Sequence, residues 1–164
     1  MPKAVHLLVD GNAFFHGCKS EGLTQDFSAL ERGVAASLGV AKVASKTFYT
    51  RPPLLDDGKR VVGWLKAHGW VTHLYAYDYT TQDSLYVAMT SDLHTEIGSD
   101  AETSVVILSG SGSLVYPLSQ YTGEVTLVAT AKSLNRHLAA LAQQRNIQVL
   151  PLGSVLLLGT ATVQ

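Results

Sequence analysis

Apolar residues in this chain fall into two alternating patterns, short unbroken runs and stripes at helical spacing. Ala4–Val9, apolar apart from His6, reads as a buried strand, and Asp10-Gly11-Asn12 after it is a turn signal. Ser28-Ala29-Leu30-Glu31 fits a capping box, and Leu30, Val34 and Leu38 then recur at four-residue spacing, which predicts a helix. Lys46–Thr50 reads as a second strand, stopped by Pro52-Pro53. Asp57 is placed to cap a helix carrying Val61, Val62 and Leu65, with Gly69 at its end. Trp70–Tyr77 alternates aromatic and β-branched residues as a strand does. Asp83–Ile97 follows as a helix with Leu85, Met89, Leu93 and Ile97 on one stripe. The strand Ser104–Leu108, a short Tyr116–Tyr121 segment, the strand Glu124–Ala129, the helix Ser133–Gln144 and the strand Ile147–Leu150 complete the order.

This alternation predicts an α/β fold: a mainly parallel central sheet with helices on both faces and right-handed crossovers. The first and fourth strands then bring Asp10 and the loop Ser109–Ser113 to one edge of the sheet, where open α/β sheets hold ligands. Residues 1–152 form the expected domain. Residues 153–164 stand outside the alternation and are expected to be an apolar tail. It is either frayed or buried as an edge segment against a second chain. Val155-Leu156-Leu157-Leu158 favours burial, which makes a homo-oligomer through that tail one expectation.

Composition narrows the function classes. Charged residues are 15% and hydrophobic residues 46% of the 164, which argues against disorder. With 12 Lys+Arg against 13 Asp+Glu there is no basic surplus of the kind that marks nucleic-acid binding. Arg51, Lys59, Arg60 and Lys66 fall close together, either as a local basic patch or as an ordinary solvated helix face. A single cysteine, Cys18, excludes an intrachain disulfide and a cysteine-based zinc site and fits a reducing compartment. Asp10 interrupts the first apolar run, so no secretory leader is expected, and no run is long enough to span a bilayer. A soluble, cytoplasmic protein with no membrane partner is the expectation.

Candidate chemistry is sparse. Asp10, directly after a strand, is placed either to hold a divalent metal or to cap a loop. Asp92 sits at the edge of a buried helical stripe, and Asp78 and Asp83 flank the preceding turn as capping residues do. The loop Ser109-Gly110-Ser111-Gly112-Ser113-Leu114 has the glycines of an active-site turn but no acid or base. It reads as an anion cradle or as a turn shaped by backbone geometry alone. Val115 stands where a dinucleotide fingerprint needs its third glycine, and no lysine follows to make a P-loop. The six histidines show no metal-type spacing, and the serines have no nearby histidine to activate them. Tyr75, Tyr77, Tyr79 and Tyr116-Pro117 read as a stacking surface for bases or, more simply, as alternating core and surface.

Taken together these motifs resemble the NYN domain, the LabA-like branch of the PIN-like nuclease superfamily. The first strand of that family ends in a D-G-x-N or D-G-N-N turn, and here it reads Val9-Asp10-Gly11-Asn12. Thr47-Phe48-Tyr49 resembles its second strand, and Trp64-Leu65-Lys66-Ala67-His68-Gly69-Trp70-Val71 its next helix and third strand. The family helix K-G-x-D-V-x-L-x-x-D can be laid on Asp83–Asp92, and its S-G-D-G-D-F loop on Ser109–Leu114. Val125–Val128 and Lys132-Ser133-Leu134 resemble the fifth strand and the helix after it, so the resemblance covers roughly residues 4–152.

The resemblance implies a Rossmann-like, PIN-type α/β/α sandwich and, in active members, RNA cleavage with Mg²⁺ or Mn²⁺ held by clustered carboxylates. Asp10 and Asp92 match the family's acids and are the candidate catalytic and metal-holding residues. Asn12, Ser109, Ser111 and Ser113 are the candidate binding residues. The departures fall on the chemistry: Tyr86 stands where the helix supplies an acid, Ser111 and Ser113 replace both loop aspartates, and Ala13 replaces a frequent asparagine. The segment between Leu114 and Gly123 is a few residues short of the family's helix. The expected function is a domain that has lost cleavage and serves as a binding or scaffold module for RNA or protein, with no resident cofactor. The alternative is a divergent ribonuclease using Asp10 and Asp92 with Mg²⁺ or Mn²⁺. A third reading is a small nucleotide-binding protein that uses the Ser-Gly loop.

Overall fold

The computed structural model describes residues 3–51, 56–74, 84–98 and 100–161. Six strands form one parallel sheet: β1 (Ala4–Asp10), β2 (Ser45–Thr50), β3 (Val71–Leu74), β4 (Thr103–Leu108), β5 (Glu124–Ala129) and β6 (Gln148–Pro151), in the order β3-β2-β1-β4-β5-β6. The chain builds outward from β1 in one direction and then, from β4, in the other. The crevice beyond the carboxyl ends of β1 and β4 is therefore the topological switch point. This is the doubly wound α/β architecture that the alternation predicted.

The described helices are α1 (Gly11–Glu21), α2 (Phe27–Ser37), α3 (Asp56–Ala67), α4 (Ser84–Ser91), α5 (Val115–Gln120), α6 (Arg136–Gln144) and α7 (Leu152–Ala161). Side chains alternate across the sheet. Leu7 and Val9 of β1, with Val106 and Leu108 of β4, pack under Phe14, Leu30, Val34, Leu152 and Val155. Leu8, Ile107 and Leu127 pack on the opposite face under Met89, Leu93, Leu118 and Leu138. All six residues of β4 are buried, as expected of a central strand covered on both faces. Among the described residues no helix is long and apolar enough to cross a membrane.

Several elements depart from the sequence expectation, each for a local reason. Asp10-Gly11-Asn12 is not a turn: β1 runs straight into α1, and Asp10 is at once the last strand residue and the helix N-cap. The inner face of α1 holds Phe14 with Gly17 and Cys18, one large apolar residue and two small ones, too few to show as a stripe. Asp26, not Ser28, caps α2, accepting from the Ala29 amide at 3.0 Å. Likewise Asn135 caps α6 through the amides of His137 and Leu138, so that helix begins at Arg136 and not at Ser133. Met89 and Leu93 keep their predicted buried stripe, but the last turn widens to a π-helical segment, Asp92–Ile97, ended by Gly98. The Tyr116–Tyr121 segment is a short helix, α5, entered from a 3₁₀ turn at Gly112–Leu114.

The largest correction concerns the apolar tail. Residues 152–161 form α7, whose Leu152, Val155, Leu156 and Gly159 are buried in this chain's own core against α2. The helix was hidden because Leu157 and Leu158, on its outer side, are apolar too, which erases the amphipathic stripe. Burial of Val155 and Leu156 is thus intramolecular, and only Leu157 and Leu158 of the run remain exposed. Lys59, Arg60 and Lys66 lie on the exposed side of α3, where Arg60 faces Asp57 one turn away, as on an ordinary solvated helix face. Pro52-Pro53, Tyr75, Tyr77, Tyr79, Asp78, Asp83, the Leu85 side chain and residues 162–164 lie outside the described residues.

Candidate functional site at the carboxyl edge

The register of the sheet builds the site. β1 and β4 are paired so that Val9 faces Leu108, which puts Asp10 and Ser109 side by side just past the last rung. Asp10 is 4% exposed, and its two carboxylate oxygens have different tasks. Oδ1 accepts from the Ala13 amide at 3.4 Å as the α1 cap. Oδ2 accepts from the Ser109 hydroxyl at 3.1 Å and from the Tyr86 hydroxyl, also at 3.1 Å. Tyr86 arrives from the first turns of α4, on the other side of the crevice.

The serine loop extends this network and does not open toward a ligand. Ser109 Oγ accepts from the Ser111 amide at 3.3 Å, and Ser111 Oγ accepts from the Ser113 amide at 3.2 Å. The Ser111 and Ser109 hydroxyls lie beside the Tyr86 phenol and pull its pKa down, against burial and the Asp10 charge. The Leu114 amide turns back to Ser111 O at 3.2 Å. Three amides that an anion cradle would aim at a phosphate are already committed within the loop, which weighs against the nucleotide reading. The loop glycines have a different purpose. Neither has a positive φ, but a Cβ on Gly110 would lie 2.5 Å from Ser133 O, and one on Gly112 2.8 Å from the Asn135 side chain. They are glycines because the start of α6 lies against them, fastened by the Asn135 amide to Gly110 O at 2.8 Å.

Burial pushes the Asp10 carboxyl above its ordinary value, against the opposing pull of the Ala13 and Asn12 amides and the Tyr86 and Ser109 hydroxyls. Burial, and then the Asp10 charge, push the Tyr86 phenol up to about 12, so it remains a proton donor at neutral pH. The sign of the pH effect follows from the raised carboxyl. A raised folded-state value means that the folded chain holds the proton longer than the unfolded chain. The associated stability is complete below the ordinary value of 3.8 and is lost as pH rises through the raised value. Relative to Asp10→Asn, which cannot ionise, the wild type is expected to lose urea-unfolding free energy as pH rises from below 3.8 toward neutrality. A difference that stays flat over that range contradicts the assignment.

Asp92 belongs to a different set of partners. Its Oδ2 accepts from the Tyr49 hydroxyl at 2.5 Å and lies 3.6 Å from His73 Nε2. His73 stacks on the Tyr49 ring with centroids 5.4 Å apart. Burial, then the hydrogen bond to Asp92 and its charge, push the Tyr49 phenol strongly upward, so it too stays a donor. Asp92 lies six residues beyond Tyr86 on the same helical run, about 9 Å along the axis. Asp10 and Asp92, expected to share one metal, therefore have separate partners, with Tyr49 standing in register beside Asp10. Among the described residues no group of three or more His, Cys, Asp or Glu is placed to hold a metal ion. Asn12 is exposed, and its contribution to Asp10 is a backbone amide, not its side chain. Ser113 bonds to Ser111 through its amide and lines the groove beside Tyr86 and Tyr116. Tyr49 and His73 as partners of Asp92 were not legible, because their meeting requires the strand order.

A doubly wound, Rossmann-like α/β protein with one buried, hydroxyl-bonded carboxylate at its switch point is the class that fold and site define. No protein-family model matches the chain, and no curated protein is significantly similar to it. Among solved structures, a protein of unknown function from Vibrio parahaemolyticus matches with a TM-score of 0.61 at 15% identity, over 92% of this chain and 93% of that one. At that identity the likeness shows the shared fold, which spans nearly the whole of both chains.

Proposed function

We propose that this chain is a PIN-like domain of the NYN type that has lost metal-dependent RNA cleavage and serves as a binding module. The observation that carries this reading is the state of Asp10. Its Oδ2 is taken by two neutral hydroxyl donors, from Tyr86 and Ser109, where the resemblance would have further acids converge. Mg²⁺ and Mn²⁺ favour hard, anionic oxygens, and metal-assisted hydrolysis needs the ion's charge to make a nucleophile and steady the phosphate. Here one carboxylate, biased by burial against its own charge, faces hydroxyls that stay protonated at neutral pH. The residues present do not fit a resident divalent ion. The separate partners of Asp92 weigh against the alternative of a ribonuclease that uses both acids.

The groove next to the network supports binding. Tyr86, Val87, Thr90, Ser113, Tyr116 and Pro117 line it, none of them charged, and Tyr116 and Val87 stand exposed on its rim. A phosphate backbone would find no cation there, so a protein segment is the favoured occupant.

The test is labelled single-stranded RNA incubated with Mn²⁺, with Asp10→Asn alongside. No cleavage above that of the variant is expected. Cleavage by the wild type that disappears in Asp10→Asn overturns the proposal. Anisotropy of uncleaved RNA assigns the partner: tight, strongly salt-dependent binding would give the role to RNA and not to a protein.

A further inference from the structure

The second face of the sheet carries a cavity of about 400 Å³ that the Asp10 network does not reach, between the β1–β2–β3 edge and the π-helical turn Asp92–Ile97. Its floor is register-built. His6 pairs with Ser45, and Leu8, Thr47 and Val71 form the next row, with His73 beyond them. Parallel strands covered on both faces are usually apolar throughout. Here three adjacent strands instead turn His6, Ser45, Thr47 and His73 into a hollow, and the His6 Nδ1 and Ser45 Oγ lie 2.6 Å apart. The helix above widens at the same place, which brings Asp92 and Ile97 to the roof.

We propose that this cavity binds a small organic cation, a primary amine or guanidinium on a short aliphatic stem, with Asp92 as its counter-charge. Among the described lining residues there is no lysine or arginine, and Asp92 is the one carboxylate. Its Oδ2 is fixed by Tyr49, whose ring is held by the stacked His73, while Oδ1 has no hydrogen-bond donor among the described residues. The acid is thus preorganised and has one oxygen to offer, at 19% side-chain exposure. The hydroxyls of Ser45 and Thr47 supply further acceptors for an ammonium or guanidinium, and Leu8, Val71 and Ile97 give the stem an apolar wall. The volume falls within the range of about 300–1,000 Å³ usual for small-ligand sites. The assignment stands whether or not the Asp10 site has lost cleavage.

The experiment titrates the protein with n-butylamine and n-butylguanidinium, with neutral n-butanol and anionic butyrate as controls, followed by calorimetry and amide chemical shifts. Both cations are expected to bind with Kd near or below ~1 mM, shifting amides of β2, β3 and the π-helical turn, while the controls do not bind. Asp92→Asn, which keeps an acceptor for Tyr49, is expected to weaken the cations at least about tenfold. Val71→Trp, placed at the exposed edge of the cavity, is expected to abolish binding by filling it while leaving Asp92 in place. Butanol binding as well as butylamine, undiminished affinity in Asp92→Asn, or no binding of either cation overturns the proposal.

Discussion

Gly159→Ala is expected to destabilise the protein by roughly 2 kcal/mol or more, whereas Gly63→Ala is expected to stabilise it by about 0.5–1 kcal/mol. The contrast is one of surroundings. A Cβ at Gly159 would sit 1.7 Å from the Ala29 carbonyl oxygen and 2.8 Å from the Gly33 amide, and one at Gly33 would sit 1.9 Å from Val155 O. These are backbone atoms of the facing helix, so no rotamer change relieves the contact and α2 and α7 must move apart. Separation loosens Val155 and Leu156 in the core and stretches the Arg32 Nε bond to Gly159 O, now 2.9 Å. Alanine's better helix propensity offsets about 1 kcal/mol, against an overpacking cost of about 1–3 kcal/mol for extra methylenes and more where backbone must shift. Gly63, in mid-helix α3, has nothing within 4 Å of the added Cβ, so only the propensity gain remains. Urea midpoints at constant m-value measure both, and a Gly159→Ala within about 0.5 kcal/mol of wild type would show that the helices do not cross so closely.

The second large effect is a gain. In the double variant Tyr86→Asp, Ser111→Asp, two carboxylates replace the Tyr86 hydroxyl that bonds Asp10 and the Ser111 hydroxyl of the adjoining loop. Without metal this chain is expected to be markedly less stable than wild type, because three acids crowd one low-dielectric crevice and Asp10 loses a donor. Mn²⁺ is expected to restore much of that loss, since a ligand at a hundred times its Kd stabilises the folded state by about 2.7 kcal/mol. Wild type is expected to show no such response. Thermal unfolding with and without Mn²⁺ reads both arms. A double variant indifferent to Mn²⁺ would mean that these positions do not converge on one ion, and the reading of the site as a depleted acidic cluster would fail.

Most strands were legible because a buried parallel strand leaves a strong signature. Val105–Leu108 is an unbroken apolar run and Val125–Ala129 is interrupted only by Thr126, and burial on both faces explains both. Helix ends were less so. Asp26 and Asn135 cap where Ser28 and Ser133 were equally plausible by residue type, since the choice depends on where the preceding loop releases the chain. Two helices escaped altogether. α1 buries one large residue, Phe14, among glycines and a cysteine, and α7 is apolar nearly all round, so neither shows the periodicity that separates a buried stripe from solvent.

The candidate site divides in the same way. The chain alone placed Asp10 at a strand end, put the serine loop after another strand, and showed that Tyr86, Ser111 and Ser113 stand where acids would complete the resemblance. Those are statements about residue type and local pattern, which a sequence carries directly. Only the tertiary structure decided that Tyr86 reaches Asp10, that Asp92 answers to Tyr49 and His73, and that the loop glycines make room for α6. Each of those meetings joins residues far apart in the chain through strand order, register and helix axis. Such distances are set by how the whole apolar core closes, and no local stretch of sequence contains them.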